Sequence, residues 1–493
     1  MRLNIYKQID QMLNSVMEAI NYINNNDNFH INNQLLNDSK SVLNSIDLVL
    51  TNNYDSISDT IIFEQIKKCI NFIDDLLGSS FSFDKEKIMQ LDNYVKELQI
   101  MFRKNVKYKI RVVFFAELGQ KWDSMSSVYE AFKKRDDCEV RVVLTPIFRK
   151  TNINGQSRTE VIYDDYLTDL GIKFLHYKEY DISKDLPDMA FISNPYEGVT
   201  IKEFWPENIA KHTKLIYLPY FTGIFVDDIF IESFYKLNVN KYAWKIIAQS
   251  EKQEELQKLY SNGDKEKFLY TGLPKWDEEF KFSENMKVED FWLEKTKGKK
   301  VFLWNTHYNV DYYYSTLLEY GESIINYFEK RDDLALIWRP HPMTETIFKL
   351  YKPELKSHWD NLTEKVLSSK NMILDLNKSY SQSFYLSDAL ISDFSSMIVQ
   401  YVFTRKPIIW IRKETTRQFF ENKESLVRID KIKRADQFKE IVDFINEVTK
   451  NRNYLKDINF GEFLGGITEI DGKIGERVCN KLIDELIKEN IQY

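Results

Sequence analysis

What most constrains this chain is a change of texture at Lys109. Beyond it, short apolar runs alternate with helix-length spacers. The run KIRVVFFAE at 109–117 is apolar on successive residues and rich in β-branched and aromatic side chains. It therefore reads as a strand covered on both faces rather than one with a wet side. A helix at 126–135 and a second buried strand at 139–145 (EVRVVLT) follow. Further strands are expected at 172–176, 189–192, 215–218 and 245–248. A second series starts near Lys299 with KKVFLWNT and continues at 334–338, 372–375, 389–392 and 407–411. Strand–helix–strand repetition implies parallel sheets wound on both faces, with right-handed crossovers.

Two series imply two lobes, and 493 residues are too many for one compact core. With a closing helix at 474–487, the expected α/β architecture is GT-B-like: two doubly wound parallel-sheet lobes with a cleft between. The first 105 residues differ. Ile5, Ile9, Leu13, Val16, Ile20 and Ile23 repeat at helical spacing. Three further stripes follow, 35–49, 61–77 and 88–102, separated by Asn, Asp and Ser. They read as a four-helix module burying its own stripes. The expected division is a helical module at 1–105, an acceptor-side lobe at 106–284 and a donor-side lobe at 285–493.

Composition narrows the function. A net charge of −7 argues against a general nucleic-acid binder, which needs a basic surface. Cys69, Cys138 and Cys479 lie far apart in odd number and read as reduced thiols of a cytosolic protein. The start MRLNIYKQID lacks an apolar core, so no signal peptide is expected. No stretch reaches the ~18 apolar residues of a membrane span. There is no GxGxxG, GxxxxGK[ST], CxxC, HExxH or metal-holding DxD, so no cofactor and no metal are expected. The doublets Asp164-Asp165 and Asp227-Asp228 read as solvated faces. Aromatic residues, 14% of the chain, suit stacking on bases or sugars.

In open parallel sheets ligands bind beyond the carboxyl ends of strands, and the chemistry-bearing motifs fall there. WRPHP at 338–342 follows a strand. Arg339 offers a charged fork for phosphate, and His341 can donate to a leaving oxygen or shuttle a proton. SDFSS at 392–396 follows another. Asp393 or Ser395 could cap a helix at 396–403, and Ser395, Ser396 and the helix N–H groups would make an anion site. TGLPK at 271–275 lies between the lobes, with Gly272 for a tight turn and Lys275 for the cleft. Weaker candidates are Thr306 and His307 after KKVFLWNT, and ELGQKWDS at 117–124 after the first strand. Asp123, Glu117 or His307 could serve as general base. Each has a structural alternative: a strand-end histidine, ordinary capping, an interdomain turn, and for Asp123 the cap of the helix near Ser126.

Order and spacing of these pieces resemble the bacterial CDP-glycerol:polyglycerophosphate glycerophosphotransferases, teichoic-acid and capsule polymer enzymes with a GT-B fold. Gly272-Leu273-Pro274-Lys275 is similar to the family's G-x-P-R/K turn. Phe302 to Thr306 is similar to its Thr-ended strand, and Arg339-Pro340-His341-Pro342 to its R-x-H-P. Ser392 to Ser396 with Lys406-Pro407-Ile408 is similar to its S-D-F-S-S and K-P-I. Asp471-Gly472 through Arg477 is similar to its D-G-x-x-x-x-R. Two places depart. Where the family carries W-H-G-T with its presumed base, this chain reads Tyr217-Leu218-Pro219-Tyr220. Where the family has Asp after S-S-x-x-x, this chain has Gln400.

The resemblance implies an enzyme that moves glycerol phosphate, or a related alditol phosphate, from a CDP-activated donor to a hydroxyl of a cell-envelope polymer or glycan, releasing CMP. The acceptor could be lipid-linked, with the enzyme cytoplasmic or peripheral at the inner membrane face. The alternatives are a GT-B glycosyltransferase using a nucleotide sugar, and a noncatalytic scaffold.

Overall fold

A computed structural model describes residues 1–53, 60–78, 84–117, 119–153, 156–162, 166–223, 228–251, 253, 255–256, 265–280, 288–311, 314–377, 379–413, 432–450 and 471–488. Asp164-Asp165 and Asp227 lie outside them.

Four helices come first: α1 (Leu3–Asn24), α2 (Phe29–Asn53), α3 (Thr60–Leu77) and α4 (Lys85–Asn105). α1 packs on α2 and α4, and α3 does likewise. Ile9, Leu13, Val16, Ile20 and Ile23 bury one stripe of α1 against Leu36, Leu43, Ile66 and Leu91 of the others. Asp84 starts α4, its carboxylate accepting from the Glu86 N–H at 2.9 Å. The module is not wholly self-contained. Leu3 belongs to the core of the next lobe. Lys109 N–H donates to the Met1 carbonyl at 2.9 Å, and Leu3 N–H to the Lys109 carbonyl at 3.3 Å. Arg2 donates to the carbonyls of Asp185, at 2.6 Å, and Leu186. The chain start is thus stitched to Lys109, just before the first strand of the next lobe, and to the chain at 185–186.

The first lobe contains β1 (Ile110–Ala116) and β2 (Cys138–Leu144), an antiparallel hairpin β3 (Ile147–Ile153) and β4 (Gln156–Ile162), then β5 (Leu175–His176), β6 (Met189–Ile192), β7 (Lys214–Tyr217), β8 (Lys245–Ala248) and β9 (Phe268–Tyr270). Its sheet runs β5-β2-β1-β6-β7-β8-β9, parallel throughout. Val112 and Phe114 face one core while Val113 and Phe115 face the other, which explains the unbroken apolar run. The second lobe contains β10 (Lys300–Thr306), β11 (Leu334–Pro340), β12 (Met372–Leu374), β13 (Ala389–Ser392), β14 (Ile408–Ile411) and β15 (Lys433–Ala435). Its parallel sheet runs β12-β11-β10-β13-β14-β15. Two parallel lobes behind a helical module make this a GT-B fold.

The hairpin, β9 and β15 are not among the strands expected from the sequence, and β5 is shorter than the strand expected at 172–176. The signal for the hairpin was present as the Asn-Gly pair at 154–155. β9 and β15 are three residues each, too short to show a period.

The closing helix, Ile474–Lys488, returns to the first lobe and packs on helix Ser126–Lys133. Asp277, buried, accepts the N–H of Ile474 at 2.9 Å and of Gly475 at 2.7 Å, and so starts this helix. Gly475 lies directly on Ser127. A Cβ there would stand 2.4 Å from the Ser127 carbonyl carbon.

Candidate active site

In the second sheet the strand order reverses between β10 and β13, and such a reversal opens a crevice at the carboxyl ends of the strands. β10 ends there in Thr306 and leads to His307, β11 leads to His341, and β13 leads to Asp393. The imidazoles of His307 and His341 lie 5.7 Å apart between centroids. Tyr308 contacts both, at 4.5 and 4.6 Å. The two histidines are held alike. Nδ1 of His307 accepts the Asn309 N–H at 3.1 Å, and Nδ1 of His341 accepts the Met343 N–H at 3.1 Å. A neutral ring so held carries its proton on Nε2. Burial pushes both down to about 4, the charge of His341 adding to the shift at His307. Near pH 7 the crevice therefore presents two neutral Nε2–H donors. Such fixed donors suit phosphate oxygens whose charge grows during transfer.

Asp393 orders this loop rather than facing a ligand. It is fully buried. One oxygen accepts the His307 N–H at 2.8 Å. The other accepts the N–H and the hydroxyl of Thr316, at 3.1 and 2.5 Å. Burial raises its carboxyl to about 7, opposed by these hydrogen bonds. The expectation that Asp393 caps the helix at 396 is corrected: it serves the start of helix Leu317–Glu329, whose N-cap is Thr316. The Thr316-Leu-Leu-Glu319 spacing resembles a capping box, but the hydroxyl turns to Asp393 instead.

Arg339 is also positioned inward. Its Nη1 pairs with Asp375 at 2.6 Å and its Nη2 donates to the Asn377 carbonyl at 2.9 Å. Asp375 is buried and also accepts from the Ser383 hydroxyl. The fork expected to face phosphate is thus engaged in fastening β11 to the end of β12. Thr306 is fully buried, its hydroxyl accepting the Trp338 indole N–H at 3.2 Å and its carbonyl the His341 N–H at 2.9 Å. This places it beneath the crevice rather than against a substrate.

The helix expected at 396–403 is Met397–Val402, six residues, too short to supply the helix-end field that was expected of it. The Ser395 hydroxyl accepts the Met397 N–H at 3.0 Å and keeps its own proton to donate. Ser396 is exposed and Gln400 half-buried on the same short helix. Lys406 of the K-P-I segment closes a helix end, donating to the carbonyls of Phe384 (2.6 Å), Tyr385 (3.0 Å) and Ser387 (2.6 Å).

Between the lobes, Gly272 has φ +82°, and a Cβ there would meet the Ile474 side chain at 3.2 Å. Lys275 is buried, its ammonium 3.3 Å from the Tyr220 carbonyl. Burial raises the Asp123 carboxyl, against the pull of Lys275 and with the charge of Glu278 adding. The capping role considered for Asp123 does not occur: the N-cap of helix Ser126–Lys133 is Met125, with no side-chain bond.

The first sheet has its own reversal, between β1 and β6. Glu117 follows β1 and Asn194 follows β6. The Asn194 amide donates to both Glu117 oxygens, at 3.0 and 3.1 Å, and Lys121 pairs with Glu117 at 2.8 Å. The Lys121 ammonium lies 4.7 Å from the centre of the Tyr220 ring. The sequence signal for this cluster is the i,i+4 spacing of Glu117 and Lys121, that of a helical ion pair.

The family model for CDP-Glycerol:Poly(glycerophosphate) glycerophosphotransferase matches residues 227–483, just over half of the chain. Among solved structures, the UDP-GlcNAc 2-epimerase of Methanocaldococcus jannaschii is 14% identical, with 76% of this chain and 100% of that chain covered and a TM-score of 0.51. The S. aureus MnaA–UDP structure is 12% identical, with 77% and 97% covered and a TM-score of 0.50. The wall teichoic acid polymerase TagF is 14% identical, with 86% and 99% covered and a TM-score of 0.47. At these identities the first two speak for the fold alone. No curated protein matches the chain in sequence.

Proposed function

Because this chain belongs to the CDP-glycerol:poly(glycerophosphate) glycerophosphotransferase family, we propose that it transfers an alditol phosphate, glycerol phosphate in the first instance, from its CDP ester to an acceptor hydroxyl. The coarser statement, a GT-B transferase working between an activated donor and an acceptor, follows from family and fold. The finer one is carried by the paired neutral histidines at the β10–β13 crevice.

In this reading the donor pyrophosphate lies over that crevice. His341 and His307 donate through Nε2–H to its oxygens, and Ser395 and Ser396 add hydroxyl donors. Gln400, half-buried on the short helix that follows, is a further candidate contact. Arg339 and Asp393 act as positioning residues, Arg339 through Asp375 and Asp393 through the His307 backbone. The acceptor comes from the first lobe. Its oxygen forms a bond to the phosphorus that carries the alditol, and the bond from that phosphorus to the CMP oxygen breaks. The hydroxyl proton passes to Asp123, and CMP leaves with its new charge held by the two imidazole N–H groups. Lys275, fixed by the Gly272 turn, supplies positive charge beside Asp123. Tyr220 stands where the family's presumed base would be. Burial pushes its phenol up to about 12, so it is no base near neutral pH.

No described helix is long and apolar enough to cross a membrane. The proposed setting is the cytoplasmic side of the cell membrane, with a polymer or glycan acceptor, lipid-linked or free, and without nucleic acid.

The test is the nucleotide product. The full chain, incubated with CDP-glycerol, CDP-ribitol or nucleotide sugars in the presence of an acceptor extract, should release CMP from one of the CDP-alditols. Release of an intact nucleoside diphosphate from a nucleotide sugar would replace this reading with glycosyl transfer. No release from any donor would favour a scaffold.

A further inference from the structure

The β10–β13 crevice offers neutral N–H and O–H donors to an anionic diphosphate. Arg339, the cation expected there, is engaged by Asp375 and the Asn377 carbonyl. A second arginine stands on the other flank of the crevice, and one of its nitrogens is not engaged.

Arg412 follows β14 directly, at the carboxyl end of the sheet. Its N–H donates to the Ala435 carbonyl at 2.8 Å, which ties it to β15. The side chain is 3% exposed. Asp436 takes one edge of the guanidinium, accepting from Nε at 2.7 Å and from Nη2 at 2.8 Å. Asp436 is fixed in turn, its carbonyl accepting the Tyr320 hydroxyl at 2.6 Å. Nη1, at the opposite edge, is buried and finds no partner among the described residues. Native structures rarely leave a buried donor so, because its lost hydration goes unreplaced. The guanidinium lies 5.3 Å from the centre of the Trp410 ring, which gives it a floor.

A line of contacts joins this arginine to the crevice. β13 and β14 pair in parallel with Ser392 opposite Trp410. Phe394, next to Ser395, packs on Trp410 at 5.7 Å. Tyr314 packs on Phe394 at 5.8 Å and on His307 at 5.2 Å. Across the carboxyl edge the order is therefore His341, His307, Ser395, Arg412. β14 is two strands from β10, roughly 10 Å at the usual spacing. With the imidazoles on the CMP phosphate, the next phosphate falls toward β13 and β14.

We infer that Arg412 binds the donor phosphate that carries the alditol, donating from Nη1 to its oxygens, and so selects a donor with a second phosphate. A charged donor makes shorter and stronger bonds to phosphate than a neutral one. Asp436 holds the fork in place from the opposite edge and leaves Nη1 to the ligand. The inference rests on the donor site proposed above, and its test separates the two.

Calorimetry on the full chain compares CDP with CMP. The terminal phosphate of CDP stands for the one that carries the alditol. Wild type should bind CDP more tightly. Arg412→Gln should weaken CDP about tenfold or more, the loss of a hydrogen bond between charged groups, and leave CMP unchanged. An arginine that only supports the fold would move both nucleotides alike or neither. Arg412→Gln leaves the Asp436 carboxylate without its partner, so melting curves accompany it. If it fails to fold, the double variant Arg412→Gln/Asp436→Asn, which strands no charge, decides. Glycerol 3-phosphate, titrated in parallel, stands for an acceptor phosphate. The inference is overturned if wild type binds CDP and CMP alike, or if a folded variant keeps the wild-type preference for CDP. It is also overturned if the variant weakens CMP equally, or weakens glycerol 3-phosphate while CDP affinity stands. His341→Ala reports on the donor site itself and should weaken both nucleotides. Unchanged binding of both to His341→Ala, with CDP alone weakened by Arg412→Gln, would sink the histidine assignment and leave this one standing.

Discussion

The crevice between β10 and β13 and the crevice between β1 and β6 occupy the same place in their sheets, yet they have opposite hydrogen-bond polarity. The first presents donors: two imidazole N–H groups kept neutral by burial. The second presents acceptors: a carboxylate and an amide oxygen, with their own donors already supplied. A donor-lined crevice suits phosphate oxygens, and an acceptor-lined one suits hydroxyls. The fold gives both lobes the same topological opening, and the residues placed there decide which substrate enters.

The two regions also differ in how firmly their charges are buried, and this gives the largest expected effect. Arg339 and Asp375 are 10% and 1% exposed, so Arg339→Ala strands a buried carboxylate. A loss of about 3–5 kcal/mol in urea unfolding is expected. Lys121, left behind by Glu117→Ala, is 18% exposed and can turn to water, so that variant should cost clearly less. Equal losses would mean that the second lobe's crevice is no better locked than the first.

Next come the reacting groups. His341→Ala should lower turnover by ~10²-fold or more with melting unchanged, because a donor aimed at the leaving phosphate is removed. Near-normal turnover of the folded variant would remove His341 from the mechanism. On the acceptor side, Asp123→Asn should lower turnover by about 10²-fold while nucleotide affinity stays put. A change in nucleotide affinity instead would place Asp123 on the donor side of the cleft.

The pH behaviour of the second lobe is more subtle. The Asp393 carboxyl is raised from 3.8 to about 7. Its contribution to stability is therefore full below pH 3.8 and is lost as pH rises through 7. The histidines run the other way, lowered from 6.5 to about 4. Their contribution is full above pH 6.5 and is lost as pH falls through 4. Asp393→Asn removes only the first effect. The melting temperature of Asp393→Asn minus that of wild type should rise steadily from pH 4 to pH 8. A gap that is flat or falls with pH would show that Asp393 is already ionised at low pH. The smallest effect expected is none: EDTA should leave turnover unchanged, and loss rescued by a divalent cation would add a metal to the donor side.

Much of this fold was legible in the sequence because buried parallel strands are continuous in apolar residues. KIRVVFFAE and LALIW could hardly be anything else. The histidines at the strand ends were legible for the same reason, since strand boundaries fix where loops begin. What could not be read was the partner of each polar side chain. Arg339 finds Asp375, 36 residues away, Asp393 finds Thr316, 77 away, and Asp277 finds Gly475, 198 away. These pairings follow from how strands order in the sheet and how the last helix crosses back, which local pattern does not encode. Arg339, expected to face phosphate, is thus paired with Asp375, and Asp393, expected to cap the helix at 396, reaches Thr316, while Glu117, a candidate base in the sequence, stands at a switch point.

The central claim is that the donor's phosphates meet two neutral imidazoles in the β10–β13 crevice. It is tested most directly by histidine-selective nitrogen NMR of the full chain, titrated with CDP-glycerol at neutral pH. The chain has six histidines, so assignment by single substitution is practical. The account predicts that His307 and His341 show neutral rings protonated on Nε2 before addition, and that only their Nε2–H signals move to hydrogen-bonded positions on binding. If CDP-glycerol binds while both signals stay where they were, or if either ring is already charged, the account is contradicted.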